Sequence, residues 1–456
     1  MFILVTPLNF IKINIMKNSI KINSIIKPYN KTLNIEGDKS LSIRWALLAS
    51  QAIGKSRAYN LLRSEDVIST LKCLIKLGIK IKMTKNFCQI TGNGINGFKY
   101  KKNIILDSGN SGTLGRLILG LLVHSKKKIK IIGDKSLSRR DFSRVTEPLK
   151  LFGAKFKTKS NKLPITIEGT NFPKPIRYYE NKGSAQCKSS VMLASINTPG
   201  TTLIKAKKSR NHTELLFKYL KLPIKIKTGN KFDIIEIKGK KKIKPINYKI
   251  PSDISSSAFF IVLTALSEKS KLVIKNININ STRIGILKIL KMMGIKIFLK
   301  NKKIYKGEKI ADLIVRSQKH IKAINCPTIL NSSAIDEFLI IFLVAAKANG
   351  VSTFKKLSEL NQKESPRLIW GSKILNKIGI KTILTKDSIK IFGNPNIKIQ
   401  KKIVIKDYLK DHRVFMTSVI ASLVFGGEWQ IYDKDSIKTS FPSFLEKIKN
   451  LGAEII

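Results

Sequence analysis

Acidic residues are scarce in this chain. Only 29 Asp and Glu stand against 86 Lys and Arg, a formal charge of +57. Such an imbalance attracts phosphate, whether in a nucleic-acid backbone or in a small anion. The excess lysine is spread everywhere, including segments that read as ordinary strands, such as Lys225-Ile226-Lys227 and Lys296-Ile297-Phe298. A composition bias distributes charge in that way; one designed patch does not. Aromatics are only 7% and form no RNP-like or helix-turn-helix pattern. A nucleic-acid reader would therefore lack its stacking platform and its groove-reading element. An enzyme for small anionic substrates explains the sign equally well.

Cysteine and histidine are rarer still, with four of each. Cys73, Cys88, Cys187 and Cys326 form no CxxC pair, which argues against a structural zinc site and a disulfide framework and fits a reducing compartment. His124, His212, His320 and His412 join no cluster at metal-ligand spacing, and no Gly-x-Ser-x-Gly elbow is present. Cys187 lies among serines at a helix start, where a thiol is either activated or simply buried. Long apolar runs are missing too. Met1 to Phe10 is apolar, but Lys12 interrupts it after too few residues to span a bilayer. It lacks the flanks of a secretory signal and the arginine of a transit peptide. The expectation is a cytoplasmic protein with no membrane association, in which residues 1–15 are an extension or a mis-assigned start before Met16.

What is present is a repeat. An amphipathic helical run, a glycine and a short branched strand recur at Leu77-Gly78-Ile79-Lys80, Phe152-Gly153-Ala154-Lys155, Met293-Gly294-Ile295-Lys296, Ile378-Gly379-Ile380-Lys381 and Leu451-Gly452-Ala453-Glu454. A degenerate copy, Leu222-Pro223-Ile224-Lys225, fills the gap between the second and third. Glycine just past a helix takes the left-handed position other residues resist, and the branched run then starts a strand. In the helix before the first copy, Val67, Leu71, Leu74 and Ile75 are expected on one face. Six copies in 456 residues give units of about 76 residues, too long for a solenoid. Six small α/β units gathered into two domains of three are expected, with a ligand in the cleft between them. A second repeat, Gly37-Asp38-Lys39-Ser40-Leu41-Ser42 against Gly133-Asp134-Lys135-Ser136-Leu137-Ser138, supports duplication.

Several segments put polar residues where a helix begins and where backbone N–H groups face an anion. Asp107-Ser108-Gly109-Asn110-Ser111-Gly112-Thr113 precedes an apolar helix; it is either a phosphate cradle or a capped helix after a tight turn. Gly183 to Ser190 and Pro251 to Ser257 open two more helices. In the second half, Asp336-Glu337, Lys363-Glu364-Ser365-Pro366-Arg367 and Asp411-His412-Arg413 each precede a helix. Acids there complement the helix dipole, but Arg367 and Arg413 do not. Those two arginines ask for a carboxylate or phosphate nearby.

From about Ile25 to Ile456 the chain resembles the 5-enolpyruvylshikimate-3-phosphate synthases, and its wording is closer to the second class of that family. The shared segments are GDKSLSIR, LDSGNSGTLGRL, GDKSLSRRDFSRV, GSAQCKSSVMLASINTPG, SRNHTE, PSDISSSAFF, AIDEF, QKESPRL, DHRVFM and SFPSF, in family order and spacing. The resemblance implies an α/β fold of two domains, each of three βαβαββ-type repeats, six in all, with the active site between them. It places one discontinuous domain at 16–36 plus 252–456 and an inserted domain at 37–251. It implies transfer of the enolpyruvyl group of phosphoenolpyruvate to the 5-hydroxyl of shikimate 3-phosphate, with release of phosphate and no cofactor or metal. By motif, Lys39, Ser40, Arg44, Ser184, Ala185, Gln186, Arg210, Asp336 and Lys363 would hold shikimate 3-phosphate. Phosphoenolpyruvate would meet Lys39, Asn110, Gly112, Thr113, Arg140, Gln186, Arg367, His412 and Arg413. Asp336 would be the base at the hydroxyl, Glu364 the proton shuttle at the methylene carbon, and Lys39 would join them as a catalytic group. A monomer with no obligate nucleic-acid partner is expected.

Departures from the family pattern are few. Ile43 replaces a histidine or asparagine, Pro366 an aspartate, Asn361 an arginine, and Asp141 a proline after Arg140, which puts a negative charge beside that arginine. Thr439 lies where first-class members carry lysine. Gly112 keeps the small residue that leaves room for the herbicide glyphosate. The rival transferase, acting on UDP-N-acetylglucosamine, relies on a loop cysteine that none of the four cysteines here matches.

Overall fold

Each repeat helix ends at a residue with left-handed backbone. Gly78, Gly153, Gly294, Gly379 and Gly452 have φ between +83° and +106°, in a computed structural model that describes residues 18–239 and 241–456. The expected extension at 1–15 and the alternative start at Met16 lie outside the described residues. The degenerate copy needs correcting. The left-handed position there is Lys221, at φ 54°, following the helix His212–Tyr219, so the true counterpart of glycine lies two residues before Pro223. Proline, fixed near φ −65°, cannot occupy it. The helix Glu65–Lys76 buries Val67, Leu71 and Leu74, but Ile75 is 53% exposed. At about 100° per residue Ile75 lies some 80° round from Val67, at the edge of the buried stripe.

The second unit displays the repeat completely. Strand Ile104–Asp107, helix Gly112–Leu122, strand Ile129–Ile132, helix Ser143–Leu151 and hairpin Lys155–Lys159/Lys162–Glu168 follow in order. The first two strands are parallel, and the hairpin adds antiparallel to the second. The segment Arg177–Glu180 to Phe232–Lys238 repeats that pattern. The unit built on helices Lys39–Ser50 and Glu65–Lys76 takes its first strand from Tyr248–Lys249, which pairs parallel with Ala58 and Tyr59. Asn30–Leu33 does the same for the unit of helix Ile254–Leu266, pairing parallel with Lys271–Asn278. In the unit of helix Phe338–Ala346, the first strand is reduced to two bridges, Lys322 to Asn349 and Asn325 to Thr353. The last unit borrows Ser19–Ile22, which lies antiparallel to Glu428–Tyr432 and exchanges backbone hydrogen bonds between Lys21 and Ile456.

The buried apolar side chains form two clusters. One comprises residues from Leu41 to Ile250; the other joins Ile20 to Ile35 with Ile254 to Ala453. The backbone passes from one to the other along two adjacent strands of chain. Asp38 N–H donates to Pro251 O at 2.8 Å, and Asp253 N–H donates to Glu36 O at 3.2 Å. No described helix is long and apolar enough to cross a membrane.

Candidate active site

Five of the helices facing the gap between the two cores begin with a side-chain cap. Asp38, Ser111, Ser184, Asp253 and Asp411 each accept from a backbone N–H two or three residues on. The two Gly-Asp-Lys-Ser segments share this bond but then part. Asp38 opens the helix Lys39–Ser50, whereas Asp134, accepting from Leu137 N–H at 2.7 Å, opens only a 3-10 turn, Leu137–Arg139. Phe142 is buried and donates to Asn161 O at 2.8 Å, which draws the chain out before a helix can propagate. Arg140 is thereby extended into the gap.

The core of Leu41 to Ile250 contributes a cradle of donors. Arg116 Nη1 donates to Gln186 Oε1 at 2.9 Å and to Gly112 O at 3.3 Å, with its guanidinium 4.9 Å from the Phe142 ring. Gln186 Nε2 donates to Thr113 Oγ1 at 3.0 Å. A Cβ on Gly112 would lie 2.8 Å from Arg116 Nη1 and 3.1 Å from Arg140 Nη1, so both cations close over that glycine. Arg140 Nε is buried with no hydrogen-bond acceptor among the described residues, a donor free for an anion. Lys39 Nζ pairs with Asp66 Oδ2 at 2.8 Å. Asn110 bonds Asp134 Oδ2 at 2.6 Å. Arg44 is buried beneath Ser40, donating to Ser40 O, Thr213 Oγ1 and Ser189 Oγ. Ser184 and Ala185 form the start of the helix that carries Gln186.

The other core contributes acids wrapped in cations. Asp336 pairs with Arg210 from across the gap, with Lys363 Nζ at 3.3 Å and with Arg367 Nη1 at 3.6 Å. Burial alone would push its carboxyl up, but Lys363, Arg210, Arg413 and Arg367 outweigh burial and hold it well below the ordinary carboxylate range. Glu364 receives Arg140 across the gap at 2.8 Å and Arg367 from its own helix start. Burial opposes its ionisation, and Arg367 and Arg140 overcome that and hold it well down. Arg367 finds the bidentate carboxylate its position asked for, with Nε 2.8 Å and Nη2 3.2 Å from Asp411. Arg413 Nη1 donates to Asp336 O at 2.6 Å. His412 is buried and pushed down to about 3 by that burial, so it is a neutral ring, its Nδ1 3.3 Å from Thr439 Oγ1.

The departures are absorbed locally. Asp141 turns to the next helix start, accepting from Ser143 N–H at 2.8 Å and Ser143 Oγ at 2.6 Å, and the carboxylate paired with Arg140 is Glu364. Asn361 Oδ1 accepts from Leu368 N–H at 3.2 Å, a cap that Pro366, as N-cap of Arg367–Lys377, does not supply. Ile43 is fully buried in the core. Cys187 is buried, and burial raises its thiol. Sequence reading did not single out Arg116 or Asp66. Arg116 was recoverable, since it lies one helical turn after Gly112; nothing marked Asp66 as the partner of Lys39. Among the described residues no group of His, Cys, Asp and Glu could hold a metal ion.

Two α/β domains of repeated βαβαββ units, closing a cationic gap around paired carboxylates, define an enolpyruvyl transferase-type fold. The enolpyruvyl transferase NikO of Streptomyces tendae superimposes with a TM-score of 0.74 over 96% of this chain and 98% of its own, at 13% identity, which speaks for the fold alone. The family pattern described as EPSP synthase (3-phosphoshikimate 1-carboxyvinyltransferase) matches residues 24–448. The chain is 38% identical over 435 residues to a 3-phosphoshikimate 1-carboxyvinyltransferase of Ruthia magnifica, covering 94% of this chain and 98% of that one. A relative of the same name from Zymomonas mobilis is 37% identical, with 94% and 95% covered. An EPSP synthase structure from Acinetobacter baumannii matches with a TM-score of 0.85 and 32% identity over 96% of this chain and 99% of its own. The chain belongs to the EPSP synthase family.

Proposed function

We propose that this chain transfers the enolpyruvyl group of phosphoenolpyruvate to the 5-hydroxyl of shikimate 3-phosphate and releases phosphate, as the names of its relatives describe. The carrying observation is the convergence of cations from both domains on two half-buried carboxylates, Asp336 and Glu364. Each carboxylate occupies cations that a phosphate or carboxylate of substrate can claim. Arg210 and Lys363 would hold the phosphate of shikimate 3-phosphate, with Lys39, Ser40, Arg44, Ser184, Ala185 and Gln186 as its further contacts. Arg140, Arg367 and Arg413 would bind phosphoenolpyruvate, with Lys39, Gly112 and Gln186, and Asn110, Thr113 and His412 would be its second-line contacts.

The acid–base chemistry follows from this exchange of partners. With its cations unshared, Asp336 is too weak a base to take a hydroxyl proton. Substrate phosphate drawing Arg210 and Lys363 away lifts the Asp336 carboxyl toward its working range, so the base is armed by the molecule it acts on. The freed alkoxide oxygen bonds the central carbon of phosphoenolpyruvate while the methylene carbon gains a proton from Glu364, likewise raised as Arg140 and Arg367 turn to substrate. The tetrahedral intermediate then returns a methyl proton to Glu364, the carbon–oxygen bond to phosphate breaks, and phosphate leaves with the proton that Asp336 took, its remaining charge held by the arginines.

We further infer that the chain divides at 37 and 251 into a domain of 37–251 and a discontinuous one of 16–36 plus 252–456, and that it acts as a cytoplasmic monomer. Phosphate release from phosphoenolpyruvate, with and without shikimate 3-phosphate, tests the reaction. Release requiring both and lost in Asp336→Ala and Lys39→Ala is expected. Release only with UDP-N-acetylglucosamine as acceptor would move the chain to the sister reaction.

A further inference from the structure

A buried series of charged groups, apart from the anion-binding side chains, links the two passages between domains. Arg283 is its centre, 2% exposed. Its Nη1 donates to Asp38 Oδ2 at 3.0 Å, and its Nη2 reaches Asp253 Oδ1 at 3.2 Å and Ser255 Oγ at 2.7 Å. Asp38 and Asp253 are the N-caps of the helices that begin at Lys39 and Ile254, one in each core. Ser255 Oγ donates in turn to Glu337, the residue after Asp336. On the other flank, His212 Nε2 lies 3.3 Å from Arg283 Nη1, and His212 Nδ1 lies 2.6 Å from Glu308 Oε1 across the domain boundary.

Buried ion pairs are weak devices for stability, because well-packed apolar groups often serve as well. Their geometry nevertheless specifies one arrangement. Asp38 is committed twice, Oδ1 to Leu41 N–H in its own domain and Oδ2 to Arg283 in the other. Turning one domain against the other at this point breaks the second bond and leaves the Asp38 carboxylate buried without its cation, while Arg283 keeps Asp253.

We propose that Arg283 is a positioning residue for enolpyruvyl transfer. By binding both N-cap carboxylates at once, it keeps the Lys39–Ser40 helix start of one domain in register with the Asp336–Glu337 helix start of the other. The inference rests on the reaction and site proposed above. It predicts that losing Arg283 lowers the fraction of protein in the reactive arrangement, which weakens both substrates together.

The test is steady-state phosphate release by wild type, Arg283→Gln and Arg283→Lys, varying each substrate in turn, alongside thermal melting. Arg283→Gln is expected to raise KM for both substrates about tenfold, with a smaller fall in kcat, because saturating substrates that bridge the cleft restore the register. Arg283→Lys, a point charge without the fork that spans two carboxylates, is expected to fall between. A residue that only supported the fold would lower the melting temperature and the active fraction without moving either KM. KM values within twofold of wild type, or a change confined to melting, overturn the proposal. If Arg283→Gln does not fold, Arg283→Lys decides alone. Wild type that releases no phosphate from the substrate pair refutes the reaction itself, and this inference with it, whatever the variants do.

Discussion

Replacing Gly112 by alanine adds one methyl group where two cations meet. The backbone there is helical with no left-handed strain, and alanine is the better helix former by up to about 1 kcal/mol, so the fold loses nothing. The methyl would lie 2.8 Å from Arg116 Nη1 and 3.1 Å from Arg140 Nη1. Arg116 has little freedom to retreat, held by Gln186, Gly112 O and the Phe142 ring. The methyl is therefore pressed away from Arg116 and against Arg140, which must give way by a few tenths of an ångström from the place proposed above for phosphoenolpyruvate. Overpacking costs about 1–3 kcal/mol, and side-chain tips fall at the low end. About 1.4 kcal/mol is a tenfold change in affinity. Steady-state kinetics of Gly112→Ala should show KM for phosphoenolpyruvate raised about five- to tenfold, KM for shikimate 3-phosphate within twofold, and an unchanged or higher melting temperature. Equal rises for the two substrates, or no rise for phosphoenolpyruvate, would refute the placement of Arg140.

Two predictions concern stability. Asp336 and Glu364 are held well below their unfolded values, so the stability they contribute is fully present above about pH 4.3 and declines as pH falls through the lower folded values. Acid unfolding followed by circular dichroism should lose part of its pH dependence below that point in Asp336→Asn; an unchanged curve would mean the surrounding cations are not coupled to it. Lys221 occupies a left-handed position that five other units give to glycine, so Lys221→Gly should stabilise the protein by about 1 kcal/mol in denaturant titration. A loss of stability there would remove Lys221 from the repeat.

The repeat shows how far local rules carry. A glycine after an amphipathic helix demands left-handed backbone at that residue, and five of six copies were legible for that reason. The sixth was misplaced by two residues because lysine can adopt the same conformation at a cost without announcing it. The polar helix starts were legible as caps, since a side chain two or three residues before the N–H it serves leaves a local mark. The two Gly-Asp-Lys-Ser segments were not separable, because their difference arises at Phe142, whose backbone is claimed by Asn161.

Sequence alone determined the number of units, the helix starts that face the cleft, and the demand of Arg367 and Arg413 for negative partners, because each depends on residues near one another along the chain. Tertiary structure decided which partners answer. It set Asp411 against Arg367, Glu364 between Arg140 and Arg367, Asp66 on Lys39, and Arg283 on two carboxylates 245 and 30 residues away. It also decided that the first strands of two units come from distant segments and that Ser19–Ile22 completes the last. Charge partners separated by long loops are chosen by how the domains pack, and many lysines and few acids leave every local pattern compatible with several pairings.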